Sequence, residues 1–212
     1  MRNSEPATRR EEYAQVTKQA ILDAARQLFS EKGYFSTKVD EIAARARVAP
    51  ATLYAVSGGK SGLLRSLVDF WSTAPVVAST IDTIEKMDDA VAIVQLVAAI
   101  NRSMREDCGD VIRVLLATAP HDKGVAKSLA VATSRYRAAF VPIARRLLDL
   151  GALRQELSVE ECADIFWFYF GYSALFTLHD DNGWSYERAE KWLSHQAQQA
   201  LLRKPKPDEG RK

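Results

Sequence analysis

The spacing of apolar residues between positions 21 and 54 constrains this chain more than any other feature. Ile21, Ala25, Leu28 and Phe29 recur at i, i+4, i+7 and i+8, the period of a helix with one buried face. Lys32 and then Gly33 give that helix a basic last turn and a stop. Thr37 followed three positions later by Asp40 has the pattern of a capping box. Val39, Ile42, Ala43 and Ala46 continue at helical spacing, which predicts a short second helix from about Lys38 to Ala46. Arg47, Val48 and Ala49 are enough only to turn the chain. Pro50 then fits the first position of a third helix carrying Thr52, Leu53 and Tyr54, closed by Ser57, Gly58 and Gly59. Two short helices across a three-residue turn, backed by a longer helix that buries their common face, form a helix-turn-helix. The remainder of the chain agrees with an all-α fold. It has 10 Gly and 7 Pro in 212 residues and few clustered β-branched runs, too few turns for a sandwich or barrel.

With 47% apolar and 26% charged residues, the chain has material for a core and no signature of wholesale disorder. No apolar run approaches the ~18 to 20 residues that span a bilayer, and Met1 to Arg10 is polar, without the apolar centre of a signal peptide. The expectation is a soluble, cytoplasmic protein with no membrane partner. Cys108 and Cys162 match neither a disulfide framework nor a zinc-ligand spacing, so they are expected to be reduced and buried, with no metal and no cofactor. Charge is uneven. Residues 1–65 carry 11 Lys and Arg against 7 Asp and Glu, whereas the rest carry 18 against 20. A basic first third suits a polyanionic partner.

Met1 to about Glu12 is aperiodic and reads as a mobile arm, and the tail "RKPKPDEGRK" from Arg203 reads as disordered. Between them, amphipathic segments after residue 60 run from about Gly62 to Lys86, Asp88 to Glu106, Asp110 to Ala119, Lys123 to Leu150, Ser158 to His179 and Ser185 to Leu202. Six helices are the natural count. Pro75 and Pro142 should kink or split two of them. Ser158 with Glu161 is a further capping box, and Gly151 a further helix stop.

The run "ILDAARQLFSEKGYFSTKVDEIAARARVAPATLYAVSGGKSGLL", Ile21 to Leu64, resembles the DNA-binding domain of TetR-family transcriptional regulators. Matching positions include Ile21, Ala24, Ala25, Leu28, Phe29, Gly33, Tyr34, Thr37, Val39, Ile42, Ala43, Ala46, Val48, Thr52, Leu53, Tyr54 and Lys60. The resemblance implies a homodimeric, ligand-responsive regulator, by default a repressor, that binds a pseudo-palindromic operator in double-stranded DNA. It implies a helix-turn-helix domain over residues 1–60, a helical ligand-binding and dimerisation domain over 61–203, and a disordered tail over 204–212. It also implies that Tyr54 and Lys60 hold the DNA backbone while the third helix enters the major groove. Thr37, Lys38, Arg45, Arg47, Pro50 and Thr52 complete the expected DNA-binding set, as polar or basic donors and helix-start positions suited to phosphates and base edges.

Four departures stand out. Arg47 occupies the place of a usual turn glycine, Ala49 that of a serine cap, Ser57 that of a phenylalanine, and Gly59 that of a serine. They predict a strained or altered turn, a lost cap and a looser hinge after the third helix. They also leave open a second reading, a helical small-molecule-binding protein or enzyme with a vestigial helix-turn-helix.

Ten of the 19 aromatic residues lie between Phe166 and Trp192, and "IFWFYF" is apolar all round a helix. Phe166, Trp167, Trp184 and Trp192 are therefore expected in a dimer interface built from the last two helices. Trp71, Ile93, Val97, Ile100, Met104, Leu115, His121, Tyr136, Phe140 and Phe170 are expected to line a pocket for a small apolar or amphipathic ligand. Gln95, Asn101, His121 and Tyr136 are its candidate polar anchors. The three histidines are far apart, with no HExxH spacing and no phosphate-binding glycine loop, so no catalytic residue is expected.

Overall fold

A computed structural model of the protein describes residues 8–72 and 75–203, with the side chains of 70–75 also outside the described set. The expected mobile arm therefore lies outside the described residues up to position 7, as does the tail from 204. Ten α-helices are described: α1 Arg9–Lys32, α2 Val39–Arg45, α3 Pro50–Ser57, α4 Lys60–Ser72, α5 Pro75–Ile84, α6 Ala90–Thr118, α7 Lys123–Asp149, α8 Val159–Phe170, α9 Ser173–Phe176 and α10 Tyr186–Leu201. A π-helical turn, Thr177–Asp181, follows α9. The sole extended pairing among the described residues is one bridge between Leu153 and Leu202.

The chain divides into two compact units, Met1–Ser72 with Asp110–Ala132, and Thr73–Gly109 with Thr133–Lys212. In the first, the inward residues of α1 (Ile21, Ala25, Leu28, Phe29) are buried with Ile42 and Ala43 of α2, Leu53 of α3, and Leu63 and Leu64 of α4. In the second, Ile93, Val94 and Val97 of α6 pack in one cluster with Phe140, Ile143 and Leu147 of α7, Phe166 and Phe170 of α8, and Leu193 and Ala197 of α10.

Several boundaries differ from the sequence expectation. α1 begins at Arg9, inside the expected arm, because Thr8 and Glu11 form a reciprocal capping box: the Thr8 hydroxyl accepts from the Glu11 N–H, and the Glu11 carboxylate accepts from the Thr8 N–H at 2.7 Å. Thr37 caps nothing. Its side chain is 2% exposed and its hydroxyl donates to the carbonyls of Leu28 and Gly33 at 3.1 and 2.8 Å. Helix α2 instead starts one residue later, where Glu41 accepts from the Lys38 N–H at 3.0 Å. The two segments expected on either side of residue 108 are one 29-residue helix, α6. An interior glycine costs a helix about 1 kcal/mol, and burial of Met104, Val111, Ile112 and Leu115 on either side of Gly109 outweighs it. Pro75 does split its segment, as the first residue of α5, but α7 runs through Pro142. The Ser158–Glu161 box is present, with bonds of 3.1 and 2.8 Å.

Candidate nucleic-acid interface and effector cavity

Packing of α1, α2 and α3 leaves one face of the short helices turned to solvent. Leu53 is fully buried, while Pro50, Ala51, Tyr54 and Ala55 are exposed and Thr52 is half-buried. The turn between α2 and α3 carries the strain that its sequence suggested. Arg47 has φ 57°, the only non-glycine described with positive φ. A side chain there costs roughly 1 to 2 kcal/mol, and it holds a long cation, exposed, between the two helices. Ala49 is the N-cap of α3 and makes no side-chain cap bond.

The hinge after α3 is tighter than its small residues suggested. Gly58 adopts φ 68° and its N–H bonds to the Tyr54 carbonyl at 2.8 Å. The Ser57 hydroxyl donates to the Leu53 carbonyl at 2.8 Å. The Ser57 carbonyl approaches Gly62 so closely that a Cβ there would stand 1.6 Å from it. Backbone contact between the end of α3 and the first turn of α4 thus takes the place of the missing phenylalanine.

Two members of the expected DNA-binding set are used inside the protein instead. Thr37 is buried and bonded as described above. The Lys60 ammonium donates to the carbonyls of Tyr34, Thr37 and Phe35 at 2.7, 3.0 and 3.4 Å and lies 4.5 Å from the centre of the Tyr34 ring. Its three N–H donors are committed to the loop before α2, and burial lowers its pKa from the ordinary lysine value. Lys60 ties α4 to that loop. Of the rest, Lys38 and Arg47 are exposed at the two ends of α2. Arg45 is exposed but paired with Glu31 at 2.8 Å, which lowers the Glu31 pKa.

In the second unit, Val77, Ile81, Val97, Ile100, Asn101, Met104, Tyr136 and Phe140 are among the residues lining an apolar cavity of ≈ 40 Å³. Five expected pocket residues meet there: Val97, Ile100, Met104, Tyr136 and Phe140. The others do not. Ile93 and Phe170 are core residues of the same unit. Leu115 and His121 belong to the first unit, Leu115 fully buried and His121 exposed with its ring edge-on to Phe35 at 5.9 Å. The Trp71 side chain lies outside the described residues. Sequence reasoning missed Arg105 altogether. It sits on α6 with 1% exposure, among the rings of Tyr136, Tyr172 and Phe176. The sequence carried no signal for it, because in the polar run Asn101 to Asp107 it reads as one more solvated charge, although Arg is rarely fully buried without a specific role.

Residues 21–67 match the family model described as bacterial regulatory proteins, tetR family. An uncharacterised HTH-type transcriptional regulator of Bacillus subtilis strain 168, YdeS, is 31% identical over 175 residues, 78% of this chain and 82% of that protein. The chain belongs to the TetR family. Among solved structures, a TetR transcription regulator from Haloarcula marismortui superposes with a TM-score of 0.67 at 16% identity, covering 88% of this chain and 98% of the other. A SmeT–triclosan complex superposes at 0.69 with 20% identity, covering 88% and 92%. At such identities the likeness is one of fold. TetR proteins are transcriptional regulators that bind DNA and dimerise, which accounts for the helix-turn-helix. No described helix is long and apolar enough to cross a membrane.

Against that family background, the residues expected at a TetR dimer interface separate into two groups. Phe166 is 0% exposed, stacked on Phe140 with ring centres 5.5 Å apart, so it is core and cannot meet a second subunit. Trp167 and Trp184 are half-buried, and Trp192 is 43% exposed. Phe168, which was not anticipated, is 73% exposed. With Trp167, Trp192 and Leu193 it borders a groove of ≈ 700 Å³, with the Arg137–Asp164 ion pair also in its lining. Cys162 is fully buried and burial pushes its thiol up to about 12, which leaves it inert as a nucleophile.

Proposed function

We propose that this protein is a ligand-responsive repressor that binds a pseudo-palindromic operator as a homodimer. The observation that carries the reading is the exposed face of α3 beside a strained, outward Arg47. Strain of this kind persists where surrounding structure over-determines it, and it clusters at functional sites. Pro50, Thr52 and Tyr54 face the major groove on this reading, while Lys38 and Arg47 take phosphates or base edges. Arg45 joins them on release from Glu31. Lys60 and Thr37 act indirectly, by holding the loop that positions α2.

The groove edged by Trp167, Phe168 and Trp192 is the dimer face. An exposed aromatic patch of this sort is uncommon on a monomer, and a two-fold dimer matches an operator whose half-sites lie about 34 to 36 Å apart or a multiple of it. The apolar cavity of the second unit is the effector site, a reading supported by the SmeT–triclosan complex among its structural relatives. Domain limits near residues 60 and 203 follow from the same assignment.

The test is a salt titration of binding to the protein's own upstream DNA. The expected result is a linear fall of log affinity with log salt. Arg47→Gly should flatten that slope by about one ion. Salt-independent binding, or none, would return the helix-turn-helix to the vestigial reading.

A further inference from the structure

Asn101 and Arg105 stand one turn apart on α6 and both reach the end of α8. Asn101 Nδ2 donates to the Phe170 carbonyl at 2.6 Å and to the Tyr136 hydroxyl at 2.9 Å. The Tyr136 hydroxyl donates to the same carbonyl at 2.6 Å. Arg105 Nη2 donates to the Gly171 carbonyl at 2.9 Å. A helix C-terminus has spare carbonyls and favours cations, so these bonds explain part of what the two residues do. They leave the remainder unexplained. Asn101 Oδ1, Arg105 Nε and Arg105 Nη1 are buried without a hydrogen-bond partner. The amide cannot simply be turned over, because Oδ1 would then face the Phe170 carbonyl oxygen at 2.6 Å, two acceptors with no proton between them.

An arginine guanidinium brings a positive charge into this site. Its described neighbours are ring faces, with centres at 5.9 Å for Tyr136 and Tyr172 and 5.5 Å for Phe176, and no ion pair with a carboxylate is described for it. A buried charge without a counter-ion is costly unless something else supplies one. Tyr136 and Asn101 also line the apolar cavity with Val97, Ile100, Met104 and Phe140. An acceptor without a partner, Asn101 Oδ1, thus belongs to a residue lining an apolar space, and one turn along α6 the Arg105 cation lies beside the ring of another lining residue, Tyr136, at 5.9 Å.

We propose that the effector is an amphipathic acid. Its carboxylate is taken by Arg105, whose guanidinium keeps one edge of two parallel donors beside the N–H committed to the Gly171 carbonyl, and its apolar body occupies the cavity beside Val97, Ile100, Met104 and Phe140. Asn101 Oδ1 accepts from a hydroxyl or N–H where the acid carries one. This deepens the effector-site reading above and rests on it. At ≈ 40 Å³ the cavity is far below the ~300 Å³ of a typical ligand site. The acid must therefore bind an opened form, which the closed form gives way to because only the opened form lets the Arg105 charge meet its counter-ion.

Octanoate, octan-1-ol and octylamine, titrated into the full chain at fixed ionic strength, pH 7 and sub-micellar concentration, separate charge from apolar length. Octanoate should bind about tenfold to a hundredfold more tightly than octan-1-ol, and octylammonium should not bind. Arg105→Met should erase the preference while keeping octan-1-ol binding, and Arg105→Lys should keep only part of it. Equal binding of octanoate and octan-1-ol to the wild type overturns the proposal, as does binding of none of the three, or a preference that survives in Arg105→Met. Should Arg105→Met fail to fold, the wild-type series decides alone. Failure here is distinct from failure of the effector reading. Acid-selective binding that leaves operator affinity unchanged defeats ligand responsiveness and keeps the acid site, whereas an operator response to octan-1-ol alone does the reverse.

Discussion

The two units treat their buried polar groups in opposite ways. In the first, the Thr37 hydroxyl has two carbonyl partners and the Lys60 ammonium three, and both serve to fix the loop that leads into α2. In the second, Asn101 and Arg105 are still more deeply buried than Lys60, yet three of their polar atoms have no partner. A third residue there, Arg102, faces Glu190 at 2.5 Å across its Nε, close enough for an ion pair but outside hydrogen-bond geometry. A fully satisfied network specifies one arrangement, and a partly satisfied one is a place where another arrangement or a ligand gains free energy. On the proposed function, the first unit is fixed in one arrangement and the second keeps free energy in reserve for another.

The sharpest way to break this contrast begins in the second unit's core. Phe166→Ala should cost roughly 3 to 5 kcal/mol in denaturant unfolding, the loss for a buried aromatic. A folded monomer of unchanged stability would instead put Phe166 back at a subunit interface. Next come the buried polar groups themselves. Thr37→Val removes a buried hydroxyl together with its bonds to the Leu28 and Gly33 carbonyls and should cost about 1 to 3 kcal/mol, while Arg105→Met removes an uncompensated charge and should stay within about 1 kcal/mol of wild type or exceed it. Equal losses in the two variants would erase the distinction between the units.

A smaller effect concerns acid. Burial alone would raise the Asp110 pKa, but the Arg26 hydrogen bonds at 2.8 and 2.9 Å and the Val111 N–H outweigh it, holding the carboxyl below its ordinary value. A depressed folded pKa stabilises at pH above the unfolded value of ~3.9 and is lost as pH falls through the folded one. Asp110→Asn should therefore lower stability at neutral pH and lose that difference in acid. Solvent reaches both partners, so the difference should stay under ~1 kcal/mol. Smallest and of opposite sign, Arg47→Gly should raise stability by up to about 1 kcal/mol by releasing φ 57°, while weakening DNA binding.

The helix-turn-helix was legible because its information is local. Apolar spacing, Pro50 and the glycine stops each act within one turn, and the strain at Arg47 follows from a side chain standing where the chain must take positive φ. The failures have a common cause. Thr37 and Lys60 looked like surface donors, and only folding back of the loop at 33–37 shows that carbonyls claim them. Phe166 and Trp192 looked alike as aromatics, although their helices turn one inward and the other out. Leu115 lies on the same helix, α6, as Val97, Ile100 and Met104, and His121 just beyond its end, yet that later part of the chain belongs to the other unit. Arg105 was missed because among Arg102, Ser103, Glu106 and Asp107 it reads as one more surface charge, and its burial depends on where α8 ends, at Phe170.

The central claim is that free energy entering at Arg105 is read out at α3. Affinity of the wild-type protein and of Arg105→Met for the protein's own upstream DNA, measured by fluorescence anisotropy at one salt concentration with and without octanoate, tests it most directly. Octanoate should weaken wild-type binding at least several-fold, and Arg105→Met should bind the same DNA with no response to octanoate. Equal responses in the two proteins, or none in the wild type, would contradict it.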